Sequence, residues 1–275
     1  MTSTTARVGR ARAVWAWAAV AAVLWVLPGC ATRTADEGPL SSADISPSEE
    51  PENRRRARIR LELAVNYFGE VKTEIALEEV RQALTTDPTL VDALVLRGLI
   101  YMRLNDLRQA EDSFRRAVAI NPRDSNAHHN YGWLQCQLGR YPESLLSFQQ
   151  AMANPTYGER AKTLMAQGLC QARSGRKEDA ELSLARSYEL DPGNPITGYN
   201  LAQLLFQRGE MSRAQFYIRR LNNSELANSE SLWLGIKVER RMNDTVAMQQ
   251  LGDQLRKRFP QSRERSAYDR GAFDE

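Results

Sequence analysis

The chain has 275 residues, 42% of them hydrophobic, with 37 basic and 34 acidic side chains and a formal charge of +3. This composition supports a folded core and excludes collagen-like or wholly disordered chains. The near balance of charge, with arginines scattered along helical segments as on solvated faces, gives no argument for nucleic acid as a partner.

The amino terminus differs from the rest. Arg7, Arg10 and Arg12 precede an apolar run from Ala13 to Leu27, which reads as a signal peptide over residues 1–29. The run ends in Leu27-Pro28-Gly29-Cys30, which resembles a bacterial lipobox. That resemblance implies cleavage before Cys30 and lipid on its sulfur; the alternative is an uncleaved anchor with an incidental cysteine. Either way the body lies outside the cytoplasm. Ala31 and Thr32 follow, not the aspartate that often signals inner-membrane retention in diderm bacteria. Outer-membrane, lipid-anchored localisation facing the periplasm is therefore expected. Residues 30–55 carry Pro39, Pro47 and Pro51 among polar residues and read as a disordered tether. A flexible tether of this length has an end-to-end distance of roughly 25–30 Å.

From residue 56 to 260 the pattern is helical and periodic. In the stretch from Asp92 to Pro122, Gly98 and Tyr101 are followed by Ala110, Phe114, Ala117 and Pro122. This is the spacing of a tetratricopeptide (TPR) repeat: two short antiparallel helices with small residues at their crossing. At a period of about 34 residues the pattern recurs on both sides. Ala64, Ala76 and Pro88 match it, as do Gly132, Phe148 and Ala151, then Gly168, Ala180 and Pro192. Later matches are Ala202, Ala214 and Ile218, and finally Gly235, Ala247 and Leu251. The repeats fall near 57–90, 91–124, 125–158, 161–194, 195–227 and 228–260. Gly139, Gly175 and Gly209 fall between paired helices, where a positive φ costs glycine little. No segment alternates with period two long enough for a strand. The expected fold is all-α, a right-handed superhelical solenoid of about six repeats. Leu255 and Phe259 are expected to cap it, and residues 261–275 read as a loose polar tail.

In such repeats the first helices line a concave groove, chiefly through their second, fifth, ninth, twelfth and thirteenth positions. Those positions supply Leu61, Val65 and Phe68, then Val95, Leu99 and Met102, then His129, Trp133 and Cys136. Met165, Leu169, Tyr199 and Phe206 continue the row. The groove is expected to be apolar and aromatic and to dock a partner segment. A phase error of one position would turn some of these residues into the core.

No chemical site is legible. His128 and His129 are the only histidines, and Cys136 alone does not complete a metal site with them. No nucleophile elbow, phosphate loop or His-Glu-x-x-His motif occurs. The expectation is a non-enzymatic protein with no cofactor and no metal. Cys136 and Cys170 sit late on the first helices of adjacent repeats. An oxidising compartment and an even count, once Cys30 is reserved for lipid, favour a bond. Two separate buried thiols are the alternative.

The third and fourth repeats carry a more specific signal. Asn130-Tyr131-Gly132-Trp133-Leu134-Gln135-Cys136 leads to Gly139-Arg140-Tyr141, Glu143-Ser144, Phe148 and Asn154-Pro155-Thr156-Tyr157. Gly168-Leu169-Cys170 follows, and Leu232-Trp233-Leu234-Gly235-Ile236-Lys237 comes in the sixth repeat. Together these resemble the type IV pilus biogenesis and stability lipoproteins, the PilF/PilW family, over about residues 56 to 265. Gln135 departs from the aromatic or aliphatic residue common there. The resemblance implies a pilotin-like protein of the outer membrane. Its implied partners are the pilus secretin or other type IV pilus proteins, and its implied role is secretin localisation or multimerisation, pilus stability and twitching motility. A TPR lipoprotein adaptor for barrel assembly or cell-wall hydrolase docking is the other reading.

Overall fold

A computed structural model describes residues 50–274. The signal-peptide segment, Cys30 and most of the expected tether lie outside the described residues. Among the described residues there are thirteen helices and no strand. They pair in order: α1 (Glu52–Gly69) with α2 (Thr73–Thr86), α3 (Val91–Arg103) with α4 (Leu107–Ile120), and α5 (Ser125–Gln137) with α6 (Tyr141–Ala151). The second half pairs α7 (Arg160–Arg173) with α8 (Lys177–Leu190), α9 (Pro195–Gln207) with α10 (Met211–Asn222), and α11 (Ser229–Arg241) with α12 (Thr245–Arg258). A last helix, α13 (Arg263–Arg270), packs on α11 and α12. Each pair stacks on the next, so the apolar core runs between neighbouring pairs.

The tight turn inside each pair explains the period. One residue per turn is left-handed: Val71 (φ 62°), Asn105 (59°), Gly139 (74°), Gly175 (82°), Gly209 (81°) and Asn243 (59°). Glycine and asparagine tolerate this region, whereas a β-branched valine is strained there. The helix crossings explain the small residues. A Cβ on Gly98 would lie 2.5 Å from the Phe114 ring, and one on Gly168 would lie 2.7 Å from Leu184. Phe114, Phe148 and Leu184 fill these crossings and are fully buried or nearly so. Some helix starts are fixed by side-chain caps: Asp106, Asp124, Asn194, Asn228 and Asp244 each accept a backbone N–H of the following turn.

Two boundaries differ from the expectation. The first helix starts at Glu52, inside the expected tether. Arg54 explains it: its Nε donates to Asp87 at 2.7 Å and its Nη2 to Thr89 at 3.0 Å, tying the first turn of α1 to the end of α2. Burial alone would raise the Asp87 pKa, but hydrogen bonds from Thr89 and Arg54 outweigh it and hold the carboxyl below its ordinary range. The expected loose tail is also corrected, because residues 263–270 are helical. Ser262 caps α13 by accepting from the Arg265 N–H. Tyr268 lies over Gly252, where an added Cβ would come within 2.2 Å of its ring. Phe273, Trp233 and Leu255 share the apolar cluster at this end. The segment reads as polar because Ala267 is the one buried residue of the helix.

Candidate functional site: the concave face

Aligning the six turns places one register on every first helix. The fifth positions are Leu61, Val95, His129, Met165, Tyr199 and Trp233. The ninth are Val65, Leu99, Trp133, Leu169, Gln203 and Lys237, and the twelfth Phe68, Met102, Cys136, Ala172, Phe206 and Arg240. Residues from these rows in the last two repeats line one concavity of about 250 Å³, formed by Tyr199, Gln203, Phe206, Trp233 and Lys237. The register therefore describes a shared surface, not separate helix faces.

The expected groove residues divide by burial. Val65 is exposed, and Leu61, Phe68, Leu99, Met102, Trp133, Met165, Leu169, Tyr199 and Phe206 are half-buried, each with surface left for a ligand. Val95 and His129 are corrected: both are buried, His129 to 6% exposure, and contribute support more than contact. His129 Nδ1 lies 2.8 Å from Thr163 Oγ1, which also meets the Tyr157 hydroxyl at 3.2 Å. Burial, with a smaller contribution from Lys162, pushes the His129 pKa down to about 4, so the imidazole is neutral at ordinary pH. Tyr157 belongs to the longer loop between α6 and α7, so this network joins the third repeat, the loop and the fourth.

The expectation of an apolar groove needs a second correction at the thirteenth position. That position holds Arg103, Arg173 and Arg241 in the second, fourth and sixth repeats. Each guanidinium lies over an aromatic ring of the preceding repeat. Arg103 is 3.5 Å from the Phe68 centroid, Arg173 is 5.1 Å from Trp133, and Arg241 is 5.8 Å from Phe206. Arg103 also donates to the Phe68 carbonyl at 2.7 Å, closing the end of α1. Such cation–ring contacts contribute about 0.5–2 kcal/mol depending on exposure. In sequence the arginines read as solvated charges, because their ring partners stand one repeat away.

The middle of the groove is held by sulfur. Cys136 and Cys170 are bonded, with Cα atoms 5.8 Å apart, and join α5 to α7. Phe148, Ala166, Trp133 and Leu145 pack around them. Ser144 Oγ donates to the Gly132 carbonyl at 2.7 Å and stands 3.3 Å from Cys170 Sγ. Gln135, the departure noted in the sequence, accepts from Ser147 Oγ at 2.7 Å and so is satisfied although buried. Among the described residues no group of three or more His, Cys, Asp or Glu could hold a metal, and no helix is long and apolar enough to cross a membrane.

Family models for the tetratricopeptide repeat match residues 91–124, 113–145 and 132–195. Fold and groove together define a TPR solenoid. A crystal structure of PilW, described as a widely conserved type IV pilus biogenesis factor, is 30% identical. It aligns over 77% of this chain and 97% of its own, with a TM-score of 0.71. The type IV pilus assembly protein PilF of Pseudomonas aeruginosa is 26% identical over 228 residues, covering 82% of this chain and 90% of that protein. A structure of Pseudomonas aeruginosa PilF shares the fold, with a TM-score of 0.73 at 24% identity over 80% of this chain and all of that one. The chain belongs to the PilF/PilW family of type IV pilus biogenesis TPR proteins.

Proposed function

We propose that the protein is a non-catalytic outer-membrane lipoprotein adaptor of the type IV pilus machinery. In this reading the mature chain begins at the lipidated Cys30, and residues 31–51 tether the solenoid to the membrane. The groove takes an apolar segment of the secretin or of another pilus protein, as a helix or an extended peptide, and so promotes secretin localisation and multimerisation. Phe68, Leu99, Met102 and Trp133 are the anchors, since large apolar side chains in half-buried settings dominate such interfaces. The Cys136–Cys170 bond fixes the groove's curvature where the third repeat meets the fourth.

The observation that carries this reading is the family match, which spans nearly the whole of PilW. The half-buried apolar anchors of the first three repeats give it a surface. The test is deletion of the gene with assay of twitching motility and of secretin multimers on a gel. The expected result is loss of both, restored by the wild-type chain. Restoration by Cys30→Ala should be impaired, with the variant displaced from the outer membrane. Normal multimers and motility in the deletion strain would overturn the proposal.

A further inference from the structure

The two ends of the concave face are finished differently. On α11, Trp233, Lys237 and Arg240 recur at four- and three-residue intervals and share one helix face. Past the left-handed Gly271 (φ 69°) that closes α13, Phe273 turns back onto this face. Its ring stacks on the Trp233 indole, with centroids 5.5 Å apart and planes inclined by 21°. The Arg240 guanidinium lies 4.2 Å from the centre of the same ring. Phe273 thus touches both an indole and a cation, and the Tyr268 ring meets it edge-on at 6.2 Å. Lys237 lies 5.5 Å from the Trp233 ring and 6.0 Å from Phe206.

Open volume adjoins this contact. A cavity of about 480 Å³ is bounded by Trp233, Lys237, Arg263 and Arg270, and the 250 Å³ concavity shares Trp233, Lys237 and Glu264 with it. Glu264 belongs to α13 and faces the same space as Tyr199 and Phe206, so α13 stands at the mouth of the groove. Charges of both signs line the two spaces: Lys237, Arg263 and Arg270 with Glu230 and Glu264.

We propose that the Trp233, Lys237 and Arg240 face of α11 is a second recognition site, for a peptide in which an aromatic residue is followed by acidic ones, and that residues 271–274 occupy it in the free protein. The occupant's chemistry is read from the chain's own segment. Phe273 supplies the aromatic ring and Asp274 the acid that follows it. Arg240, which already lies against the Phe273 ring, supplies the cation for the acid that follows it. The segment is suited to displacement. Beyond Gly271 it has no regular structure; Ala272 N–H donates to the Ala267 carbonyl and Phe273 N–H to the Gly271 carbonyl. Tyr268 against Gly252 holds α13 itself in place, so the strap can leave while the helix stays. The site lies apart from the apolar anchors of the first three repeats and does not depend on the identity of the partner docked there.

The test uses the peptide Arg-Gly-Ala-Phe-Asp, a copy of residues 270–274 labelled at its amino terminus, titrated into the full chain by fluorescence anisotropy. Phe273→Ala should bind it at least about tenfold more tightly than the wild type, because the tethered copy no longer competes. Adding Arg240→Gln, or replacing the peptide's Asp by Asn, should each weaken binding about tenfold. If Phe273→Ala loses helical content, Phe273→Leu keeps an apolar plug without the stack and is used instead. Equal affinity for wild type and variant, no binding to the variant, or indifference to Arg240→Gln would each overturn the proposal and leave Phe273 as a cap.

Discussion

The first three repeats and the last two present opposite surfaces on one scaffold. At the ninth and twelfth positions the early repeats offer Val65, Phe68, Leu99, Met102 and Trp133. The same positions late in the chain hold Gln203, Phe206, Lys237 and Arg240. Burial pushes the Lys237 pKa down, and its ammonium lies 5.5 Å from the Trp233 ring and 6.0 Å from Phe206. A solenoid allows such a gradient because each repeat contacts only its neighbours. The groove can change from apolar to cationic along its length while the crossings beneath, glycine or alanine against a large apolar partner, remain alike.

The junction between the two regions is where the comparison is most easily broken. The disulfide spans 34 residues and ties the third repeat to the fourth. In the chain-entropy account a loop of this length contributes about 3–4 kcal/mol. The double change Cys136→Ser and Cys170→Ser should lower the unfolding free energy by that amount. Denaturant unfolding should also broaden or split as the halves uncouple. A single sharp transition of unchanged midpoint would mean the halves are coupled without the bond.

A smaller effect comes from His129 at the same junction. Its pKa falls from 6.5 to about 4 on folding. Between these values the unfolded chain binds a proton that the folded chain does not, so stability rises with pH across the window. Acidification from 6.5 to 4 should cost about 2–3 kcal/mol through this group. The check is the difference between the wild type and His129→Gln, since carboxylates titrate in both. Parallel stability curves would mean that the imidazole is not held neutral.

The smallest effect sharpens the amino-terminal side. Val71 holds a left-handed turn that glycine or asparagine holds in the other repeats, and its side chain is 71% exposed. Val71→Gly should raise stability by about 1 kcal/mol, because relief of strain exceeds the entropy that glycine adds to the unfolded chain. Thermal unfolding measures it, and a fall in midpoint would show that Val71 contributes packing the turn needs.

Most of the solenoid was legible because its determinants are local. Gly98 and Phe114 are sixteen residues apart in one hairpin, and a turn glycine marks the end of each first helix in the middle repeats. Features made between repeats were harder to read. Arg54 holds α1 through Asp87, and Arg103, Arg173 and Arg241 find their rings one repeat earlier. Likewise α13 depends on Tyr268 meeting Gly252, a position that looks like a poor helical residue until the tyrosine is seen above it. Val95 and His129 look like groove residues by register, yet the neighbouring helix covers them.

The central claim is that the early, apolar part of the groove is the docking surface for a pilus partner. The measurement is complementation of the deletion strain with Phe68→Ala, Trp133→Ala and Leu182→Asp, scoring secretin multimers on a gel with helical content as the control for folding. Leu182 is 64% exposed on the second helix of the fourth repeat, away from the groove. The account predicts that Phe68→Ala and Trp133→Ala reduce multimers at least about fivefold, in line with loss of a buried interface anchor. Leu182→Asp should complement as well as the wild type. Full multimers with both groove variants, and loss of multimers with Leu182→Asp, would place the docking surface on the outer face and contradict the account.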